Sequence, residues 1–133
     1  MNTLQISCVA VLGLMLFLLG ANVTRHRIIR GGTGNQMPTD PADRMLIAIR
    51  AHGNAAEYVP TLCVLILICG TVSDGWWVDA LALAAVFVRL SHAVGMLTTK
   101  SMASHGPLRD VGALGTYATG VALAVTAVVV AVA

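Results

Sequence analysis

Apolar and polar residues alternate in long blocks along this 133-residue chain. The apolar blocks are Ile6–Val23, Leu46–Cys69, Trp76–Leu97 and Val111–Ala133. Each approaches or exceeds the roughly 20 residues that an α-helix needs to cross a hydrocarbon core of about 30 Å. The pattern predicts an all-α fold, a four-transmembrane-helix bundle forming a single membrane domain over residues 1–133. Its spans are expected at roughly 4–24, 44–70, 76–97 and 109–132, with loops at 25–43 and 98–108. Arg30 to Pro41 is rich in Gly and Pro and reads as a linker. The run Thr39-Asp40-Pro41-Ala42-Asp43 that follows has a capping residue, Pro for a first turn and acid for the positive dipole end. The second helix is therefore expected to begin at residues 40–42.

Composition agrees with this reading: 57% of residues are hydrophobic, 11% are charged, and the mean hydropathy is +0.83. A soluble domain carries about twice that share of charge. No basic side chain precedes the first apolar block and several follow it, the reverse of a cleavable signal, so the block reads as a retained span. Arg25, His26, Arg27, Arg30 and Arg44 fall between the first two spans, and Lys100, His105 and Arg109 between the last two. The positive-inside rule then puts those two loops in the cytoplasm and both termini outside. Anionic lipid headgroups account for the basic run at Arg25–Arg30 without nucleic acid. Cys8, Cys63 and Cys69 read as small buried hydrophobes, and Trp76 and Trp77 as an interfacial anchor. Gly112, Thr116, Gly120 and Ala124 form a small-residue stripe, the mark of a helix–helix seam.

Polar residues inside the spans carry the chemistry. Arg50, Asn54 and Glu57 fall within roughly 60° of one another on one helix face. Glu57 lies thirteen residues beyond Arg44, about 20 Å along the axis, near the middle of the second span. Arg89, His92 and Met96 share a face of the third helix, and Arg109 followed by Asp110 opens the fourth. Charge at membrane depth must be paired or must face a wet cavity. A buried salt-bridge network, Glu57 with Arg89 or Arg50, is one solution. The surplus of arginine points to another, a small zwitterionic ligand with more than one carboxylate, for which Glu57 accepts an ammonium. The four histidines have no metal-ligand spacing, and no metal site is expected.

The run Arg50-Ala-His-Gly-Asn54-Ala-Ala-Glu57-Tyr-Val-Pro60 resembles the second-helix signature of the MAPEG family, the membrane-associated proteins in eicosanoid and glutathione metabolism. Arg89-Leu-Ser-His92 is similar to the family's next block, and Arg109 stands where its helix-four catalytic arginine is expected. The likeness covers nearly the whole chain and is closest to the short bacterial branch. It implies a homotrimer in a bacterial inner membrane, binding glutathione as co-substrate between subunits. Arg50, Asn54 and Glu57 would hold the peptide's polar ends, Arg89 and His92 would complete the pocket, and Arg109 would stabilise the thiolate. A hydrophobic electrophile or lipid hydroperoxide would arrive from the lipid. Departures are Asp110 beside Arg109, Met96 where relatives use tyrosine, Gly53 where relatives contact the ligand, and Tyr117 two turns beyond Arg109. Two other functions fit the same residues. One is a non-catalytic scaffold locked by an Arg–Asn–Glu network; the other is a small four-span proton-coupled transporter, although helix one has no charge before Arg25.

Overall fold

A computed structural model describes residues 1–32 and 34–132. Thr33, in the Gly-rich linker, and Ala133, at the end of the fourth apolar block, lie outside the described residues. The elements are α1 (Thr3–Arg30), α2 (Arg44–Val72), α3 (Trp76–Thr98) and α4 (Pro107–Val132), with no strand among the described residues. All four are long and apolar enough to cross a membrane.

Capping explains where the helices start. Asn2 and Gln5 form a reciprocal box: Gln5 N donates to Asn2 Oδ1 at 3.0 Å and Asn2 N to Gln5 Oε1 at 3.1 Å. The same two side chains donate to the Asp79 carboxylate, Gln5 Nε2 at 2.7 Å and Asn2 Nδ2 at 2.9 Å, tying the start of α1 to the first turn of α3. Downstream, α1 runs past residue 24 to Arg30, so part of the expected loop is helix. Arg27 and Arg30 in its last turn suit the negative dipole end, and Gly31 closes it with a φ of 68° in the left-handed region. The start of α2 also differs from expectation, at Arg44 instead of 40–42. Asp43 is the cap, accepting from Met45 N at 2.8 Å, because its carboxylate also takes the Arg30 guanidinium. Pro41 sits in the turn before, where its carbonyl accepts from Met102 N at 2.8 Å and joins the two longer loops.

Packing places α2 and α3 at the centre. Both contact α1 and both contact α4, whereas α1 and α4 do not meet among the described residues. Leu12, Ala55, Ile66, Val78, Ala82, Ala85 and Leu123 are fully buried along the shared interior. The outer surface is equally apolar, with Phe17 79% and Trp76 76% exposed, as expected of helices that face lipid. The backbones of α3 and α4 come closest: a Cβ on Gly112 would lie 2.5 Å from His92 N, and one on Gly95 2.5 Å from Arg109 N. Most of the expected stripe thus faces inside the chain. Gly112 and Thr116 meet α3, Gly120 faces Leu62 of α2, and Ala124 is exposed.

Gly112→Ala should therefore destabilise the bundle by about 1–3 kcal/mol, seen as a lower unfolding midpoint in detergent. Gly13→Ala, with open space around its Cβ, should be neutral or slightly stabilising. The Arg30 hydrogen bond holds the Asp43 carboxyl below its ordinary range. A lowered acid pKa means the stabilisation is complete above the unfolded value, about 3.9, and is lost as pH falls from there through the folded value. Proteolysis within the 31–43 linker should accelerate only in that acid window, and Asp43→Asn should abolish the pH dependence.

Candidate functional site

At the end of the bundle where the two longer loops meet, three helices converge on a cavity of about 220 Å³. Arg50 and Asn54 line it from α2, His92 and Met96 from α3, Arg109 and Asp110 from α4, with Met102 and His105 from the connecting loop. Four of the six expected site residues are thereby brought together. The other two, Arg89 and Glu57, lie elsewhere.

Arg89 sits one turn deeper than His92 and is 1% exposed. Its Nη2 donates to Asn54 Oδ1 at 2.9 Å and its Nη1 to Thr116 Oγ1 at 3.3 Å, while Nε has no partner. Thr116 can accept because its own hydrogen goes to Gly112 O at 2.6 Å. The guanidinium carbon also lies 5.6 Å from the centre of the Tyr58 ring, a cation–π contact. Arg89 has no carboxylate partner among the described residues.

Glu57 is exposed and makes no hydrogen bond or ion pair among the described residues. The Glu57–Arg89 or Glu57–Arg50 pair considered from the sequence is absent among those residues. Helix geometry explains this, since Glu57 is about 200° around the axis from buried Ala55. Asn54 turns inward to Arg89, Arg50 is exposed at the cavity mouth, and Glu57 looks away from the chain.

His92 and Arg109 are coupled through the backbone. His92 Nδ1 lies 2.9 Å from Arg109 O, and a carbonyl only accepts, so Nδ1 carries the proton. The bare acceptor, Nε2, is buried without a partner. Arg109 Nη1 donates to the loop carbonyls of Met102 at 3.1 Å and Ser104 at 3.0 Å. Its remaining N–H groups have no protein acceptor among the described residues. The Asp110 carboxylate, although next to Arg109 in the chain, faces His105 at 3.4 Å.

A roomier groove of about 540 Å³ lies between α1 and α2, where His52 packs against Gly20 and Phe17 forms part of an apolar wall. Size and chemistry point to different places. The smaller cavity gathers the cationic and acceptor groups, and it is the better candidate site. No cluster of three or more His, Cys, Asp or Glu side chains able to hold a metal occurs among the described residues. Sequence reasoning missed Thr116, whose position four residues from Gly112 on the small-residue stripe was a usable signal. It also missed the loop carbonyls around Arg109, for which residue identity gives no signal.

The model of the MAPEG family matches residues 6–129. The chain belongs to the MAPEG family. No curated protein and no solved structure gave a significant match. The four apolar helices are thus the membrane domain of a MAPEG protein, an integral membrane protein. In this MAPEG chain the helix-two signature has two tasks: Asn54 solvates a buried cation, and Arg50 borders the cavity.

Asn54→Ala would strip Arg89 of its shorter hydrogen bond and should lower stability by about 1.5–3 kcal/mol. Asn54→Asp, which restores an acceptor and adds a counter-charge, should recover the unfolding midpoint. Equal losses in both variants would mean that the Asn54–Arg89 bond contributes nothing.

Proposed function

We propose that the protein is a glutathione-dependent membrane enzyme, a transferase or peroxidase acting on hydrophobic electrophiles or lipid hydroperoxides, and that it works as a homotrimer. The observation that carries this reading is the convergence of Arg50, His92 and Arg109 on one cavity with donors and an acceptor left free. Glutathione supplies the complement: two carboxylates, an ammonium and a thiol. Family membership supports the same choice. The volume supports assembly, because about 220 Å³ is below the roughly 300–1,000 Å³ of ligand pockets. A neighbouring subunit would complete the site, and the outward carboxylate of Glu57 would meet the ligand's ammonium there.

Arg50 and the free amide nitrogen of Asn54 would bind the peptide's polar ends, with Arg89 acting through Asn54 and His92 Nε2 accepting a ligand hydrogen. Arg109 would favour the thiolate of a thiol whose pKa is ordinarily about 8.5. The thiolate then adds to an electrophilic carbon, forming a thioether, and the proton passes to the product or to water. With a hydroperoxide it attacks the outer oxygen, giving an alcohol and a sulfenic acid. A second glutathione reduces that acid, releasing water and the disulfide. Six basic residues, Arg25, Arg27, Arg30, Arg44, Lys100 and Arg109, lie toward one end of the bundle. They support an orientation with both loops in the cytoplasm and both termini outside, and the likeness to the family's short bacterial branch favours a bacterial inner membrane as the location. A scaffold role is favoured only by the Arg89–Asn54–Thr116 network, which needs no ligand. It gives no task to Arg50.

Calorimetric titration of glutathione into the detergent-purified protein should give saturable binding, weakened about tenfold or more by Glu57→Gln. Arg109→Ala should bind but fail to develop the ultraviolet thiolate band. Absence of binding at millimolar glutathione would remove the proposal.

A further inference from the structure

A thiol that becomes a thiolate gives up a proton, and some group must take it. Arginine only donates, so Arg109 cannot. Among the described residues that line the cavity, three side chains carry a basic atom: His92, His105 and Asp110. His92 is ill placed to be the base. Its Nε2 is buried without a partner, so a proton taken there has no exit to water. A charged His92 would also add a third cation beside Arg89, one turn deeper on α3, and Arg109, whose carbonyl its ring meets.

His105 is anchored by the main chain on both sides. The carbonyl of Ser104 accepts from Arg109 Nη1 at 3.0 Å, and the carbonyl of Gly106 accepts from Asp110 N at 2.9 Å. The segment carrying the imidazole is thus fastened to the arginine of the cavity and to the first turn of α4. His105 Nδ1 lies 3.4 Å from Asp110 Oδ1. A carboxylate only accepts, so Nδ1 carries the hydrogen and Nε2 is left as the acceptor, with no protein partner among the described residues. His105 lines both the cavity and an adjoining groove of about 440 Å³, and its side chain is 86% exposed. A proton on this ring meets a counter-charge in Asp110 and has an open path to water.

A histidine backed by a carboxylate is a recurrent means of activating a hydroxyl or thiol, the carboxylate setting the tautomer and steadying the imidazolium. None of the chain's cysteines, Cys8, Cys63 and Cys69, lines this cavity, so the thiol would arrive with the ligand. We propose that His105 is the catalytic base for that thiol, with Asp110 as its positioning residue. The S–H bond breaks, the proton passes to His105 Nε2, and the electron pair stays on sulfur beside Arg109. The imidazolium then returns the proton to the alkoxide formed when the thiolate opens an epoxide or cleaves a hydroperoxide. Where no alkoxide forms, the proton goes to water. Arg109 sets how much thiolate exists at equilibrium, and His105 sets how fast it appears. The assignment deepens the proposed function and rests on it, because the thiol is that of glutathione.

Stopped-flow mixing of glutathione with the detergent-purified protein, in buffer free of imidazole, separates the two roles through the ultraviolet thiolate band. His105→Ala should slow growth of the band about 100-fold. Its final height, and the affinity for glutathione by calorimetry, should stay as in the unaltered protein. Asp110→Asn, which keeps the shape and removes the charge, should slow it by a smaller factor. Free imidazole should restore the rate of His105→Ala, which it would not do for a histidine that only shapes the loop. A band that grows at full speed in His105→Ala, or a slowed one that imidazole leaves slow, would overturn the proposal. Calorimetry tells the two failures apart. An unaltered protein that binds no glutathione loses the proposed function and this base together, whereas binding with a band indifferent to His105→Ala removes the base alone.

Discussion

Placing a guanidinium inside an apolar helix bundle costs several kcal/mol unless its charge and its N–H groups are met. Here Arg89 is met by neutral groups alone: an amide oxygen, a hydroxyl and an aromatic face. The amide and the ring belong to α2 and the hydroxyl to α4, so one side chain of α3 fixes how both neighbours are turned. The demand propagates further. Thr116 can offer its oxygen only if α4 approaches closely, and the approach is possible because Gly112 presents no Cβ to His92. Arg89, Asn54, Tyr58, Thr116 and Gly112, five residues on three helices, therefore stand or fall together.

The same constraint shapes the cavity. Asn54 spends its oxygen on Arg89, which turns its amide nitrogen into the group available to a ligand. His92 lies a turn away, its tautomer set by the carbonyl of Arg109. Arg109 is steadied by the loop on one nitrogen and left free on the others. Polar groups that look independent along the chain are thus held as one linked set, with the unmatched charge on the side where a ligand would enter.

Much of this is legible in the sequence alone. Block length gave the four helices, and periodicity put Arg89, His92 and Met96 on one buried face, where they are found. The arc of Arg50, Asn54 and Glu57 was legible only as an arc. Its orientation depends on which helices pack against α2, and the buried stripe through Ala51, Ala55 and Val59 leaves Glu57 outside. The start of α2 is not legible locally, because Thr39 and Asp43 are both good caps and the choice is made by Arg30, a residue on another helix. Asp79 was unremarkable in sequence, yet it receives Asn2 and Gln5 from the far end of α1, a pairing that local pattern does not encode.

The hold on Arg109 has a consequence for natural variation. Its guanidinium is anchored to main-chain carbonyls at positions 102 and 104, and every amino acid supplies a carbonyl. Drift among related genes can therefore exchange the side chains of this loop freely, while a single inserted or deleted residue would carry both carbonyls out of reach. Across descendants of this protein, the spacing between α3 and α4 should be kept more faithfully than the letters that fill it.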